Sequence, residues 1–465
     1  MLEENGFATE PPTGIEASLT PAETREVRDL RSLPWSSIDN EESRDLDQIE
    51  YAEQIDENRI RVLVGIADVA ALVRKDSPID KYAAQNTATI YTGVRTFPML
   101  PDALAFDRTS LLEDKDRLAI VTEMIVRREG SIDDFATKVY PARVHNHAKL
   151  VYERVGAWLE GDQDAKPENV VIADQLRVHA QVTSWLRQRR IECGALELET
   201  IEARPVTKDG RVVDLEVIRK NRARDLVEDL MIAVNGATAR FLERRASSSI
   251  RRVVRAPKRW DRIVALAKSL GTELPATPNV RALGSFVANR RKEDPDSFAD
   301  LSLTIVKLLG PGEYVLQRAA DPDEGHFGLA VDDYMHSTAP NRRFPDLVTQ
   351  RLLKAAASGT PSPYRDDELT AIAAHCTERE DAARKVERTM RKVIAASMLS
   401  KRIGETFDAI VTGASNKGTY VRLRRPSAEG RVILGERGLD VGDRIKVRLL
   451  STDTKRGFVD FAVAS

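Results

Sequence analysis

Cysteine is scarce. Cys193 and Cys376 are the only two in 465 residues, far apart and outside any CxxC or Cys/His cluster, which excludes a disulfide framework and a thiolate zinc site. No apolar run approaches the roughly 18 residues of a membrane span, and no basic-then-apolar leader opens the chain. The expectation is therefore a protein of the reducing cytoplasm with no membrane contact. Net charge is nearly absent: 71 Lys and Arg against 73 Asp and Glu leave −2, which neither demands nor forbids a polyanionic partner, so the distribution of charge has to decide. Internal repeats and long low-complexity tracts are also missing. What remains is 42% hydrophobic and 31% charged residues, the composition of a chain that buries a real core, with length for two to four domains of about 100–200 residues each.

Residues 1–20 mix Pro, Gly, Thr and Glu without period and read as a mobile lead-in. Thr20-Pro21-Ala22-Glu23 supplies an N-cap, a proline at the first helical position and a capping-box acid, predicting a short helix to about Leu30. Arg59–Val73 and Arg117–Arg127 are rich in Ile and Val and read as inner strands. Leu226–Leu242 repeats apolar residues at helical spacing, with Glu228 and Asn235 sharing the opposite face. Asp366–Ser400 predicts another helix. Strands and helices alternate irregularly, without regular βαβ spacing, which predicts an α+β fold on a mixed sheet surrounded by helices. Residues 244–262 hold eight Lys and Arg against one acid, Asp261; a solvated face or connecting loop is the plain reading and an electropositive surface the functional one. The last ~60 residues turn to short alternating strands separated by Gly, Asn and Asp, the pattern of a five-stranded OB-type β-barrel. From Arg402 to Ser465 twelve Lys and Arg face eight Asp and Glu, a local charge of +4. Tyr420 and Phe458 there are candidates for base stacking or, equally, for the barrel core.

Asp39 to Glu53 carries seven acids against one base, Arg44. Like charges this dense repel unless they are solvated on a loop or gathered around a cation. In an extended segment Asp45 and Asp47 point the same way, and Asp39 joins them if the residues between loop out. Three hard oxygen donors suit Mg²⁺ or Mn²⁺, and a pair of such ions can activate water and stabilise the leaving oxygen in phosphodiester hydrolysis. Far along the chain, the stretch 326–347 carries Arg342 and Arg343, a fork that can bind phosphate. Each signal alone also fits an ordinary surface.

In combination these segments resemble the ribonuclease II/R family. RDLRSLPWSSIDNEESRDLD is similar to the opening of that family's RNB catalytic domain, and GIADVAALV, IYTGVRTFPMLP, KLVYERV, RARDLVEDLMIAVNGATARFL and HFGLAVDDYMHSTAPNRRFPDL follow in the family's order. The tail resembles an S1 domain. The resemblance implies an N-terminal extension over 1–33, an RNB domain over 34–400 and an S1 domain over 401–465. It further implies an Mg²⁺-dependent (or Mn²⁺-dependent) hydrolytic 3′→5′ exoribonuclease that threads single-stranded RNA and releases nucleoside 5′-monophosphates. Nothing in the sequence suggests a large oligomer interface, so a monomer is expected. By the same resemblance Asp39, Asp45 and Asp47 would hold the metals, and Arg342, beside Arg343, would contact the scissile phosphate. Tyr91 would pack on the 3′-terminal nucleotide, Tyr152 would help set product length, Glu228 would lie near the RNA 3′ end, and Glu387 would touch a sugar or base.

The departures carry their own expectations. Where the family reads Asp-Leu-Asp-Asp, this chain reads Asp45-Leu46-Asp47-Gln48. An amide oxygen at Gln48 can ligate a metal but brings no charge, so one ion should bind more weakly. Ala339, Asn341 and Phe344 replace residues that are usually Ser, Ile and Tyr, while the arginine pair stays. Only 38 residues precede Asp39, too few for the two cold-shock domains usual in the family at ~60–70 residues each, so a shortened member with a more open RNA entrance is expected. The S1 tail and residues 244–262 would supply compensating positive charge. The alternative is an RNB-like protein with weakened catalysis that clamps RNA 3′ ends; a DNA exonuclease on the same scaffold is a third reading.

Overall fold

The run from Val62 to Ala67 is apolar at every position except Gly65, as a strand covered on both faces must be. In the computed structural model it belongs to strand β4. Residues 12–26, 200–201, 209–210, 219, 296, 323, 416–417 and 465 lie outside those described. In chain order the elements are β1 (Arg28–Asp29), β2 (Trp35–Asp39), β3 (Gln48–Asp56), β4 (Arg59–Ala67), α1 (Pro78–Asn86), the hairpin β5 (Ile90–Tyr91) and β6 (Thr96–Phe97), β7 (Asp116–Arg127), β8 (Lys138–Val151), α2 (Tyr152–Leu159) and α3 (Val170–Cys193). Then follow β9 (Glu202–Lys208), β10 (Arg211–Ile218), α4 (Arg222–Glu243), β11 (Ser249–Val253), α5 (Trp260–Ser269), α6 (Val280–Glu293), α7 (Phe298–Leu309), β12 (Glu313–Gln317), α8 (Phe344–Ser358) and α9 (Asp366–Leu399). The chain ends in β13 (Thr406–Ser415), β14 (Gly418–Leu423), β15 (Glu429–Leu434), β16 (Arg444–Asp453) and β17 (Phe458–Val463).

The central sheet runs β1-β8-β2-β3-β4-β7, and β8 also pairs with β7. The first half of the long β8 lies antiparallel to β7 and its second half parallel to β2, so the sheet curls back on itself. It is mixed, with helices on both faces. Ile60, Val62, Val64 and Ile66 of β4 pack beneath α2, α3 and α4, while Leu63 and Ala67 face the other side with residues of α1, α8 and α9. A Cβ on Gly65 would meet Ile49 Cγ1 at 3.2 Å and Ala119 Cβ at 3.5 Å, which is why the run breaks there. The last five strands close into a separate barrel, β13-β14-β15-β17-β16, filled by Phe407, Val411, Val421, Val432, Leu449 and Phe461, with Ala396 and Leu399 of α9 joining that core. The fold is thus the α+β mixed sheet followed by an S1-type OB barrel that the pattern implies. Among the described residues no helix is long and apolar enough to cross a membrane.

Three local expectations change. Most of the predicted helix over 20–30 falls outside the described residues, and Arg28–Asp29 form an edge strand parallel to Ala142–Arg143 of β8. Ladder pairing with a long strand outweighs the helix-start signal there. The lead-in is not loose where it is described: Phe7 is buried under the Arg379 guanidinium, 3.7 Å from its ring centre. The basic segment 244–262 divides. Arg251 and Arg252 are buried on β11, and Arg252 forks onto Glu380 of α9 at 2.6 and 3.0 Å. The other bases are exposed, as the plain reading of a solvated face has it, with Arg255 paired to Glu313 and Glu324 and Arg245 stacked on Phe241.

Candidate active site

The acidic segment wraps the end of the central sheet. Asp39 closes β2, Gln48 opens β3, and the loop between them is fastened at several points. Ser110 Oγ accepts from the Leu46 N–H and donates to the Arg44 carbonyl, while Lys149 Nζ donates to the Glu41 and Ser43 carbonyls at 2.7 Å. Leu46 is buried in the core. Alternation about that anchor turns Asp45 and Asp47 to the opposite side.

Asp47 is 1% exposed. Its Oδ1 accepts from the Asn341 N–H at 3.1 Å, and its Oδ2 lies 3.1 Å from Arg342 Nε with no aligned hydrogen bond. Burial pushes its carboxyl up to about 7, with Arg342 and the Asn341 N–H opposing the rise and the Asp45 and Asp346 carboxylates adding to it. Burial also raises Asp45, against the pull of Arg342 and with Asp39 adding to the rise. Asp39 is held from its own loop, its Oδ1 accepting from the Asn40 N–H at 2.7 Å and Ser43 Oγ at 2.8 Å. Burial works against the Arg342 charge, but Asp47, Tyr91, Asp45 and Asp39 hold the guanidinium protonated. The two carboxylate-rich ends of the loop and Arg342 therefore form one electrostatic unit.

The arginine pair divides. Arg342, 46% exposed, faces the carboxylates. Arg343 Nη2 instead donates to Asp346 at 2.7 Å, and Asp346 also accepts from the Thr338 and Ala339 N–H groups. The loop is stitched to the segment ahead of Tyr91: the Thr89 N–H donates to the Arg342 carbonyl at 3.0 Å, and the Phe344 N–H donates to the Thr87 carbonyl at 2.8 Å.

Two tyrosines flank the carboxylates. Tyr91, with its ring 44% exposed, donates its hydroxyl to Asp45 Oδ2 at 3.2 Å, and its backbone N–H donates to Glu387 Oε1 of α9 at 3.0 Å. Tyr152 sits at the start of α2 with the Arg224 guanidinium 4.3 Å from its ring centre. Arg224 also reaches Asn40 Oδ1 at 3.0 Å. Asn221 Nδ2 donates to the Tyr152 carbonyl at 2.9 Å, an approach that only Gly156 permits, since a Cβ there would lie 2.4 Å from that nitrogen. Burial, then Asp39 and Glu50, raise the Tyr152 hydroxyl. Tyr152 thus marks the Asp39 end and Tyr91 the Asp45 end.

The remaining sequence candidates stand elsewhere or in support. Glu228 lies on an exposed face of α4, paired with Lys220 at 2.5 Å. Tyr420 is 45% exposed on the barrel strand β14, opposite Arg431 of β15. Gln48 is buried. Sequence reasoning marked Asn341 only as a departure from the family pattern and did not single out Arg224 or Glu50. Asn341 acts through its backbone, which no side-chain pattern signals, whereas Glu50 was visible as one acid between Ile49 and Tyr51.

Among the described residues no three His, Cys, Asp or Glu side chains close into a ready-made metal cage. The donor set nonetheless fits a hard divalent cation, because Asp47 Oδ2 is a buried carboxylate oxygen without a hydrogen bond beside a second raised carboxyl. Mg²⁺ is commonly held by one or two carboxylates, with water and substrate phosphate oxygens completing its shell.

Comparison with known proteins places these features. The RNB domain matches residues 27–359, and the RNase II-type exonuclease C-terminal S1 domain matches residues 405–464. Ribonuclease R of Escherichia coli (strain K12) is 28% identical over 482 residues, an alignment covering 94% of this chain and 57% of that protein; the chain thus spans little more than half the length of this relative. Mycoplasma genitalium RNase R in complex with ribose-methylated single-stranded RNA superposes with a TM-score of 0.89 at 22% identity, over 100% of this chain and 77% of that one. Yeast Ssd1, a pseudonuclease, superposes with a TM-score of 0.72 at 16% identity, over 93% and 54%. Those two likenesses show the fold alone.

Proposed function

The chain belongs to the RNB-domain family, and from that premise we propose that it is a metal-dependent 3′→5′ exoribonuclease that hydrolyses single-stranded RNA to nucleoside 5′-monophosphates. One observation carries the reading: a buried, partly unsatisfied Asp47 carboxylate faces an always-charged Arg342, with Asp45 and Asp39 in electrostatic reach. Asp45 and Asp47, with Asp39 and the Gln48 amide oxygen, would hold Mg²⁺ or Mn²⁺. When bound, such ions supply an activated water and Lewis-acid stabilisation of the leaving oxygen.

The chain's own residues do the rest. Arg342 offers its open side to the scissile phosphate and offsets the charge that grows there, a role worth most where water is restricted. Tyr91, tied to Asp45 by its hydroxyl and to Glu387 by its backbone, presents a stacking surface for the terminal nucleotide. Tyr152, braced by Arg224, closes the opposite end. Stacking and phosphate contacts distinguish bases poorly, so base preference is low, whereas contacts to the 2′-hydroxyl would set RNA apart from DNA. Residues 34–400 form the catalytic unit in this reading. Residues 401–465, with Tyr420 and a local charge of +5, capture RNA, and the protein acts as a cytoplasmic monomer.

The neutral Gln48 favours a second reading, an RNA clamp without turnover. Incubation with 5′-labelled single-stranded RNA and Mg²⁺ or Mn²⁺ separates the two. A ladder of shortening products, abolished in Asp47→Asn while RNA binding persists, supports the nuclease; intact RNA in a stable complex supports the clamp. Equal rates on matched DNA and RNA would overturn the ribonuclease assignment.

A further inference from the structure

A second buried carboxyl near this site has an oxygen without a hydrogen bond among the described residues. Glu50 lies on β3, where Ile49 packs into the core on the α8 and α9 side and Ala52 into the core beneath α2, α3 and α4. Alternation puts Gln48, Glu50 and Ala52 on that second face. Glu50 is 1% exposed, and its Oε1 has no hydrogen-bond partner among the described residues. Directly across the ladder stands Ser36 of β2, also buried, whose Oγ is likewise unpartnered.

A lone ionised carboxyl in such surroundings is costly unless a cation accompanies it. The Asp39 carboxylate, after burial itself, is the other cause that disfavours charge on Glu50, and Asp39 and Glu50 together act on the Tyr152 hydroxyl. Asp39 closes β2, the strand that pairs with Glu50 through Ser36. Arg224 is engaged with Tyr152, Asn40 and Glu153, while Arg342 is shared among Asp47, Asp45 and Asp39.

We propose that Glu50 is a ligand for a divalent cation at the Asp39 end of the cluster, supplying the buried carboxylate that the neutral Gln48 on the same strand face does not. The site takes a hard cation of Mg²⁺ or Mn²⁺ size, with Asp39 and Glu50 as anionic donors and water completing the shell. This deepens the nuclease reading and rests on it for its catalytic meaning, though not for the binding itself.

The test is Mn²⁺ binding to the full chain without RNA, followed by electron paramagnetic resonance and calorimetry. Glu50→Gln, which keeps size and hydrogen-bonding capacity, should weaken one class of Mn²⁺ site by about tenfold or more while leaving a remaining class unchanged, as loss of a metal-supporting group does. Gln48→Asp in the Glu50→Gln background should restore that class, because it returns a carboxylate to the same face. An isotherm unchanged by Glu50→Gln, or a loss that Gln48→Asp fails to repair, would overturn the proposal. Product ladders from wild-type protein separate this outcome from the wider reading. Ladders with Glu50-independent Mn²⁺ binding would sink the Glu50 site alone, and Glu50-dependent binding without ladders would sink the nuclease alone.

Discussion

Replacing Asp47 by Asn should raise the stability of the metal-free protein, and the gain should depend on pH. Asp47 titrates near 7 in the folded chain against an ordinary value of 3.8. A folded pKa above the unfolded one means that the folded state binds the proton more tightly, so stability is lost as pH rises from about 4 towards 7 and the full penalty applies above that. At 1.36 kcal/mol per unit, the ionised carboxyl costs about 2 kcal/mol or slightly less at pH 5 and about 4 kcal/mol or slightly more at pH 8, as upper bounds. Asn cannot ionise and escapes this penalty, from which the attraction of Arg342 for the ionised carboxylate is already subtracted, because it is one of the causes that set the folded value. The difference between variant and wild type should therefore grow by about 3 kcal/mol from pH 5 to pH 8, which is on the order of 4 °C in thermal midpoint for a unit of this size. Calorimetry in EDTA at a fixed scan rate measures it. Adding Mg²⁺ at pH 8 should then stabilise wild type more than the variant, narrowing the gap. An equal shift at both pH values, or a larger one at pH 5, would refute the argument that the buried carboxyl is held against its preferred protonation.

Two other outcomes follow from the same geometry. Arg342→Lys keeps the charge but loses the planar fork, so RNA hydrolysis should fall by about 10²–10³ in kcat while RNA affinity changes by no more than about threefold; single-turnover kinetics with separate binding titrations check this. Glu387→Ala frees the Tyr91 backbone and should raise KM for short RNA several-fold with a smaller effect on kcat, whereas Glu387→Gln, whose amide oxygen can still accept from the Tyr91 N–H, should restore it.

Legibility tracked how strongly a residue's neighbours in sequence resemble its neighbours in space. The helix at Arg222–Glu243 and the five barrel strands announce themselves because burial on one face imposes a period on adjacent residues. The Arg59–Ala67 strand was readable for the opposite reason, since cover on both faces abolishes the period. Arg28–Asp29 was misread because its strand state exists only through pairing with Ala142–Arg143, more than a hundred residues away. The basic segment was legible in part: its exposed bases fit the plain reading, but the charge of Arg252 is answered by Glu380, and no local pattern reports a partner at that distance. In the site, the Asp45-Leu46-Asp47 spacing forecast that one buried leucine would turn two acids the same way. That Arg343 would serve Asp346 rather than the cluster could not be read from two adjacent arginines.

That division of labour explains how so exposed an arginine is held in place. Asp346, fully buried, gathers the Thr338 N–H, the Ala339 N–H and Arg343 onto one oxygen, which fixes the loop just before α8. The same loop gives its Asn341 N–H to Asp47 and its Arg342 carbonyl to Thr89, two residues ahead of Tyr91, whose own N–H is held by Glu387. Every link but that of the Arg343 side chain has a backbone group at one end, so main-chain geometry holds Arg342, Tyr91 and Asp47 in place alongside their mutual charges. Local opening around Asp346 would therefore displace all three together. Geometry at the carboxylates is then an all-or-none property of the 338–346 loop, and substitutions at Asp346 should act on the site as a unit although its side chain touches none of the three.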